Sequence, residues 1–170
     1  MKMLLAGAVI ATALGAAAAN AEMPYVPPYE PPLEGPVDNS FVAGTKILTP
    51  SGLRNIEDLK NGDVVLSYDR DYERVVEQRI SGFNSRVEHV IYEMGIGGQT
   101  IQVTRDHPFL TTNGWKRVIE NSVGNTIIAY DGATYKIESC RMRRGEFTVY
   151  NFEVDITGTY YVSDLRLLAH

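Results

Sequence analysis

A serine stands where a proline-rich stretch of this sequence ends and a run of alternating apolar and polar residues begins. This residue, Ser40, opens the stretch SFVAGTKILTPSG. Its hydroxyl can reach the carbonyl carbon of Asn39, and attack there would convert the peptide bond into an ester by nucleophilic catalysis within one chain. A serine hydroxyl is far harder to deprotonate than a cysteine thiol, whose pKa is about 8.5. Ser40 therefore needs help from other groups, and without that help it is an inert residue.

The segment TRDH, residues 104–107, holds residue types that could give this help. A turn that carries Thr104 and His107 can direct a hydroxyl and an imidazole at one amide. Histidine has a pKa near ~6.5 and exchanges protons around neutral pH, and general acid catalysis is typically worth ~10²–10⁴ in rate. Of the 3 histidines in the chain, His89 alternates with apolar neighbours and is interpreted as an exposed strand residue. A lone histidine such as His107 can also be purely structural.

Composition argues against several classes of site. The chain has 16 Lys+Arg against 21 Asp+Glu, a formal net charge of −5, whereas nucleic-acid binding uses clustered lysine and arginine. Its 1 cysteine, Cys140, excludes an internal disulfide framework. The scattered histidines and this cysteine lack the ligand spacing that zinc requires. We therefore expect no nucleic-acid partner, no metal and no cofactor.

Residues 1–21 have the pattern of a secretory signal peptide. They combine a lysine near the start, a short apolar stretch and the small-residue ending Ala19-Asn20-Ala21. No segment approaches the roughly 20 apolar residues that a membrane-spanning helix needs. We therefore expect an exported protein, periplasmic or secreted, with no membrane span.

Residues 22–39 carry most of the prolines of the chain and no apolar periodicity. This composition predicts an extended, mobile arm of polyproline II character that serves as a spacer. The alternative is that its tyrosines make it a ligand for an aromatic groove. The sequence alone favours the spacer.

From Phe41 onward the sequence predicts β-strands throughout. Short runs rich in Val, Ile, Thr and Tyr are separated by glycine and asparagine turns, of which Asn113-Gly114 is a strong hairpin signal. The helical candidates are single turns at IEDL and VIEN. The fold class that follows is all-β.

The strands include an internal repeat. Residues 46–69 align without a gap to residues 108–131. Identical positions include Leu48/Leu110, Thr49/Thr111, Gly52/Gly114, Gly62/Gly124, Tyr68/Tyr130 and Asp69/Asp131. Neither unit can bury a sheet face alone, so we expect the two to pack about a pseudo-two-fold axis. The alternative is a chance likeness between two β segments with glycine turns.

Three separated motifs together resemble one family. They are SFVAGTKILTPSGLRNIEDLKNGDVVLSYD, then TRDHPFLTTNGWKRVIEN, then TVYNFEVDITGTYYVSDLRLLAH. In order and spacing they are similar to the opening, middle and closing motifs of Hint domains, the self-processing module of Hedgehog proteins, inteins and bacterial polymorphic toxins. The resemblance covers residues 40–170. It implies an all-β pseudo-two-fold disk, or horseshoe, built from two duplicated β units.

The resemblance also implies roles for four residues. Ser40 takes the place of the family's first residue, usually cysteine, which attacks the preceding carbonyl. Thr104 and His107 match a threonine and a histidine that contact the scissile peptide, with His107 as general acid for the leaving nitrogen. His170 matches the histidine that precedes, and assists, the cyclising asparagine of splicing relatives.

The closing motif departs from that of splicing relatives. The sequence stops at His170 with no asparagine after it, and Gly158 stands where many relatives have another histidine. We therefore expect no splicing and no C-terminal cleavage. What remains is the N-terminal half of the family's reaction.

The expected function is an N–O acyl shift at the Asn39–Ser40 bond, followed by self-cleavage in a single turnover. The substrate is the chain's own N-terminal segment, and the acceptor is water or an unidentified external nucleophile. In this interpretation the backbone near Ser40 lies beside His170 and residues 104–107. The alternative is a catalytically inactive Hint-fold scaffold or binding module that the proline-rich arm tethers. The oligomeric state stays open.

Overall fold

The computed structural model describes residues 23–30 and 39–170. The predicted signal peptide and residues 31–38 of the arm lie outside the described residues. Over the described part, the chain forms a 12-stranded sheet and two single-turn 3-10 helices, Ile56–Asp58 and Val118–Glu120. The strands are β1 Phe41–Val42, β2 Lys46–Thr49, β3 Gly52–Asn55, β4 Val64–Asp69, β5 Arg74–Ile96, β6 Gln99–Val103, β7 Pro108–Thr111, β8 Gly114–Arg117, β9 Thr126–Ile128, β10 Thr134–Val154, β11 Tyr160–Val162 and β12 Leu167–Ala169.

Two long strands join the halves of the sheet. β5 has 23 residues and β10 has 21 residues, and they pair antiparallel between Ile80↔Val154 and Ile137↔Ile96. The strand order is β3-β2-β11-β12-β7-β9-β10-β1-β6-β5-β4, with β8 paired to β7. The last two strands therefore lie between β2 and β7, the first strands of the repeated units. The closing segment runs through the middle of the sheet.

The repeat predicted from sequence is present in the structure. β2, β3, a 3-10 turn and β4 recur as β7, β8, a 3-10 turn and β9. Their hydrogen bonds recur too, since the Thr49 hydroxyl donates to the Gly52 carbonyl at 2.7 Å and the Thr111 hydroxyl donates to the Gly114 carbonyl at 2.7 Å. The prediction of an all-β fold built from two duplicated units is confirmed.

Strand alternation gives the sheet two apolar faces, because successive side chains point to opposite sides. One face forms the main core, which includes Phe41, Phe109 and Tyr160. The other face forms a second group of buried side chains, here called the outer cluster. Its members are Val26, Leu48, Tyr68, Leu110, Ile128, Tyr161 and Leu168.

Residues 23–30 of the arm pack against the domain. They are extended and form no strand or helix, but Val26 is only 3% exposed and belongs to the outer cluster. This part of the arm therefore differs from the expected free spacer. The physical reason is apolar burial, since Val26 covers a sheet face that would otherwise contact water.

Two further predictions concern the exposure of His89 and the presence of a membrane-spanning helix. His89 lies exposed on β5, as its alternation with apolar neighbours predicted. Within residues 23–30 and 39–170, the structure shows no helix of the length and apolarity that crossing a membrane requires.

Because Gly62 and Gly124 occupy matching positions of the repeat, replacing either glycine should lower the stability of the protein by the same amount. Gly62 and Gly124 adopt φ values of +90° and +94°, and an added Cβ would meet no atom within 4 Å at either position. Only backbone strain opposes a side chain there, so Gly62→Ala and Gly124→Ala should each lower the free energy of unfolding by about 1–2 kcal/mol. Urea denaturation measures both. A large cost at one turn and none at the other would show that the turns are not equivalent.

Candidate functional site

Thr104 contacts the backbone of Ser40 on both sides of the residue. The Ser40 amide donates to the Thr104 hydroxyl oxygen at 2.8 Å, so that oxygen lies at the nitrogen of the Asn39–Ser40 bond. The Thr104 amide donates to the Ser40 carbonyl at 2.9 Å, and the Thr104 hydroxyl donates to the same carbonyl at 3.2 Å. Thr104 therefore holds the peptide groups on both sides of Ser40, at the nitrogen of the Asn39–Ser40 bond and at the Ser40 carbonyl.

The pairing of β1 with β6 brings these residues together. Phe41 is fully buried and is paired with Val103, the last residue of β6, and with Tyr150 of β10. In an antiparallel pair, the residue before Phe41 lies opposite the residue after Val103. Ser40 and Thr104 are these two residues. Burial of the Phe41 side chain thus places the serine at the threonine.

The Ser40 hydroxyl is buried without a hydrogen bond. Ser40 is 0% exposed, and its Oγ has no partner among residues 23–30 and 39–170. The side-chain oxygen of Asn39 is also buried and has no hydrogen-bond partner among these residues. A buried hydroxyl left unpaired costs ~1–3 kcal/mol, and such groups in native structures require an explanation. Within the described part of the chain, no base therefore hydrogen-bonds to the proposed nucleophile.

His107 is held by two neighbours other than Ser40. Its Nε2 lies 2.8 Å from the Tyr160 hydroxyl, and its Nδ1 lies 3.4 Å from the Pro108 carbonyl. A backbone carbonyl can only accept, so the contact with Pro108 assigns the His107 proton to Nδ1. The Tyr160 hydroxyl, whose pKa is raised by burial, then donates to Nε2. The imidazole also packs against Phe41, with ring centroids 4.2 Å apart. Among residues 23–30 and 39–170, the hydrogen-bond neighbours of the His107 ring are therefore Tyr160 and Pro108, and not Ser40.

Burial also changes the acid–base behaviour of His107. Loss of solvation lowers its pKa to about 3; the Pro108 carbonyl opposes this effect and nearby His170 adds to it. The expectation of a ring that titrates near neutral pH is therefore wrong. The side chain is neutral at neutral pH, and any proton it gives comes from a neutral N–H group.

Tyr160 is the residue of this cluster that the sequence analysis missed. It is buried on β11, and its hydroxyl sets the tautomer of His107. The available signal was strand alternation, because Tyr160 and Val162 share the face opposite to Tyr161. A tyrosine on the core face of the closing motif would have been a candidate partner for the histidine.

His170 lies at the rim of the cluster rather than at Ser40. Its amide donates to the Pro108 carbonyl at 3.2 Å, and its ring contacts the Tyr29 ring at a centroid distance of 4.5 Å. Burial lowers its pKa to about 4. An added Cβ at Gly158 would lie 2.6 Å from His170 Nε2, so the His170 ring occupies the space that a side chain at residue 158 would need.

The four predicted site residues are connected, but they differ in how directly they contact Ser40. Ser40, Thr104 and His107 are buried together, and Thr104 contacts the proposed scissile bond. His170 joins them through its backbone bond to Pro108. The described side-chain contacts place neither histidine on Ser40 itself.

A family model and several solved structures match most of this domain. The family model of the pretoxin HINT domain matches residues 46–168. The intein-like domain from Clostridium thermocellum is 34% identical with a TM-score of 0.73, and the match covers 77% of this chain and 97% of that chain.

More distant matches extend the likeness in fold. The Ssp DnaB mini-intein variant M86 is 18% identical with a TM-score of 0.69, over 81% of this chain and 96% of that chain. The DnaB intein from Synechocystis sp. PCC 6803 is 19% identical with a TM-score of 0.66, over 78% and 97%. A curated relative, the replication factor C small subunit of Methanocaldococcus jannaschii, is 34% identical over 65 residues; this match covers 35% of this chain and only 4% of that protein.

The neutral state of His107 predicts a pH-dependent stability. The pKa of His107 is about 3 in the folded protein and ~6.5 in the unfolded chain. Below pH ~6.5 the unfolded chain binds a proton that the folded protein does not, so the free energy of unfolding falls as the pH drops from ~6.5 toward 3. At pH ~4.5 the loss should be about 2–3 kcal/mol. His107→Phe should remove this part of the pH dependence in urea denaturation, whereas His89→Gln, at an exposed histidine, should keep it. Equal pH slopes for all three proteins would contradict the assignment.

The unpaired Ser40 hydroxyl predicts that its removal stabilises the protein. Ser40→Ala should raise the free energy of unfolding by about 1 kcal/mol, because no hydrogen bond is lost. Ser67 is the matched control, since it is equally buried but its hydroxyl bonds to the Thr159 hydroxyl at 2.9 Å. Ser67→Ala should therefore lower the free energy of unfolding by about 1 kcal/mol. Denaturation curves showing the same sign for both variants would refute the unpaired state of Ser40.

Proposed function

The chain belongs to the pretoxin Hint domain family, and on this basis we propose that it cleaves itself at the Asn39–Ser40 bond without splicing. Hint and intein-like domains carry out autoprocessing chemistry in general. The finer proposal concerns an N–O acyl shift followed by hydrolysis. The substrate is the segment that ends at Asn39, and the reaction runs once per chain.

The proposed reaction has two balanced steps. In the first, Ser40 Oγ forms a bond to the Asn39 carbonyl carbon, the carbon–nitrogen bond breaks, and the hydroxyl proton ends on the Ser40 nitrogen. In the second, water attacks the ester carbonyl carbon, the bond to Ser40 Oγ breaks, and the products are the Asn39 carboxylate and a chain that begins at Ser40 with its hydroxyl restored. An external nucleophile could take the place of water in the second step.

The observation that supports this proposal most strongly is the contact between Thr104 and the nitrogen that must leave. The Thr104 hydroxyl oxygen accepts the Ser40 N–H at 2.8 Å and donates to the Ser40 carbonyl at 3.2 Å. Its proton is therefore within transfer distance of the leaving nitrogen once the hydroxyl turns away from that carbonyl. We therefore assign Thr104 the delivery of the proton to this nitrogen. His107 is a second candidate donor, which must first give up its bond to Tyr160. The proposed catalytic role of His170 rests on the family resemblance, since its ring contacts other groups.

Export is part of the same proposal. Residues 1–21 predict it, and the reaction would then take place in the periplasm or outside the cell. An intact mass from the periplasmic fraction that lacks residues 1–21 would support export, and retention of the full mass in the cytoplasm would contradict it.

A second function is favoured by a different observation. Among residues 23–30 and 39–170, Ser40 Oγ has no hydrogen-bond partner, and both nitrogens of the His107 ring have other neighbours. These are the features of an inactive Hint-fold scaffold or binding module that the proline-rich arm tethers. The two functions make opposite predictions for a better nucleophile at position 40.

Ser40→Cys should release the segment ahead of residue 40 when dithiothreitol is added at neutral pH. A thiol is the better nucleophile, and the thioester that it forms reacts readily with added thiols. Adding Thr104→Val to this variant should slow release by about 10², the scale of one lost proton donor. Thr111→Val is the matched control, because Thr111 is a buried threonine bonded to a backbone carbonyl elsewhere. Intact mass follows the fragments.

Two outcomes would decide against self-cleavage. A folded Ser40→Cys protein that stays whole in dithiothreitol would mean that the site is disassembled, and the scaffold function would replace the proposal. Equal slowing by Thr104→Val and Thr111→Val would mean that lost stability, rather than lost proton transfer, controls the rate.

A further inference from the structure

The arm lies in a shallow groove on the surface of the domain. Two open cavities flank it where it crosses Trp115, one of about 280 Å³ that reaches His170 and one of about 300 Å³ that reaches Arg117 and Glu120. Arm residues 26–30 line these cavities together with residues of the domain. A segment of a close-packed core would leave little such space, so the arm is an added surface layer rather than part of the core.

Three contacts hold this segment in place. The indole N–H of Trp115 donates to the Pro27 carbonyl at 2.7 Å. The Tyr29 ring lies edge-on to Trp115 at 6.0 Å and contacts His170 at 4.5 Å. Val26 is buried in the outer cluster. The contacts combine one backbone hydrogen bond with an aliphatic and an aromatic anchor.

This combination is the chemistry by which aromatic grooves recognise proline-rich segments. Prolines keep such a segment extended before it binds and leave its carbonyls free to accept hydrogen bonds. The segment here reads PYVPPY from residue 24 to residue 29. Adjacent side chains differ in environment, since Val26 is buried whereas Tyr25 is 77% exposed.

We propose that this groove is a binding site for extended, proline-rich peptides and that it holds the arm after the Asn39–Ser40 bond breaks. The second clause rests on the proposed function; the first does not. All three contacts involve residues 26–29, so cleavage after Asn39 removes the tether and none of the contacts. The tether supplies a local concentration on the order of mM, and retention then depends on the affinity of the groove alone.

A peptide added in trans tests the site without any cleavage. The probe is the capped peptide of residues 23–30, and the protein is the full chain carrying Ser40→Ala, which blocks the acyl shift, and Val26→Asp, which weakens the docking of its own arm. Trp115 is the 1 tryptophan of the chain and reports on the groove, because the peptide contains none. Circular dichroism verifies folding; if this variant is unfolded, Tyr29→Ala in the arm replaces Val26→Asp.

The expected result is a saturable change in Trp115 emission with a sequence-specific affinity. A peptide with Tyr29→Ala should bind at least about tenfold more weakly, because it lacks the aromatic anchor. A peptide with Tyr25→Ala should bind as tightly as the unchanged peptide, because this side chain points into solvent.

Three results would overturn the proposal. The first is a Trp115 emission that the arm-weakening substitution leaves unchanged, since the arm would then not occupy the groove. The second is no saturable change with the peptide, and the third is equal weakening by the two tyrosine substitutions. Because the protein carries Ser40→Ala, peptide binding stands or falls separately from self-cleavage.

Discussion

The hydrogen bond from the Ser40 amide to the Thr104 hydroxyl oxygen, 2.8 Å long in the buried interior, is the contact on which the proposed chemistry of this domain depends. It exists because Phe41 pairs with Val103 and brings the adjacent residues face to face. Burial of the Phe41 side chain stabilises this pairing. Ser40 and Thr104, the small polar residues next to the paired positions, are brought together as a result. Burial that stabilises β1 therefore also removes the Ser40 hydroxyl from water and leaves it unpaired.

The duplicated architecture explains why the site lies where it does. β11 pairs with β2 of the first repeated unit, and β12 pairs with β7 of the second. The closing segment therefore joins the two units. The closing segment therefore carries Tyr160 to His107 and His170 to Pro108, while β1 carries Ser40 to Thr104. The same dry interior lowers the pKa of His107 to about 3. A domain that uses this ring as an acid has to draw on a neutral N–H group.

The sequence predicts the fold well because the fold depends on patterns that a sequence displays. Glycine turns, strand alternation and the repeat specify the sheet. The partners of His107 were harder to predict, since the phenol of Tyr160 comes from a strand that is distant in sequence. Its effect on the histidine tautomer depends on burial, which no spacing reveals. The docking of residues 23–30 could not be predicted for a similar reason. The prolines of the arm indicate an extended chain, but only the tertiary structure shows that Val26 and Tyr29 contact an apolar face.

Self-cleavage at Ser40 is tested by the intact mass of the purified wild-type chain during incubation at neutral pH with no added nucleophile. We expect slow accumulation of a species of residues 40–170 together with a fragment that ends at Asn39, and no such products from a Ser40→Ala chain treated in parallel. A wild-type chain that stays whole would refute self-cleavage at Ser40. So would cleavage of both proteins at the same rate, because the break would then owe nothing to the Ser40 hydroxyl.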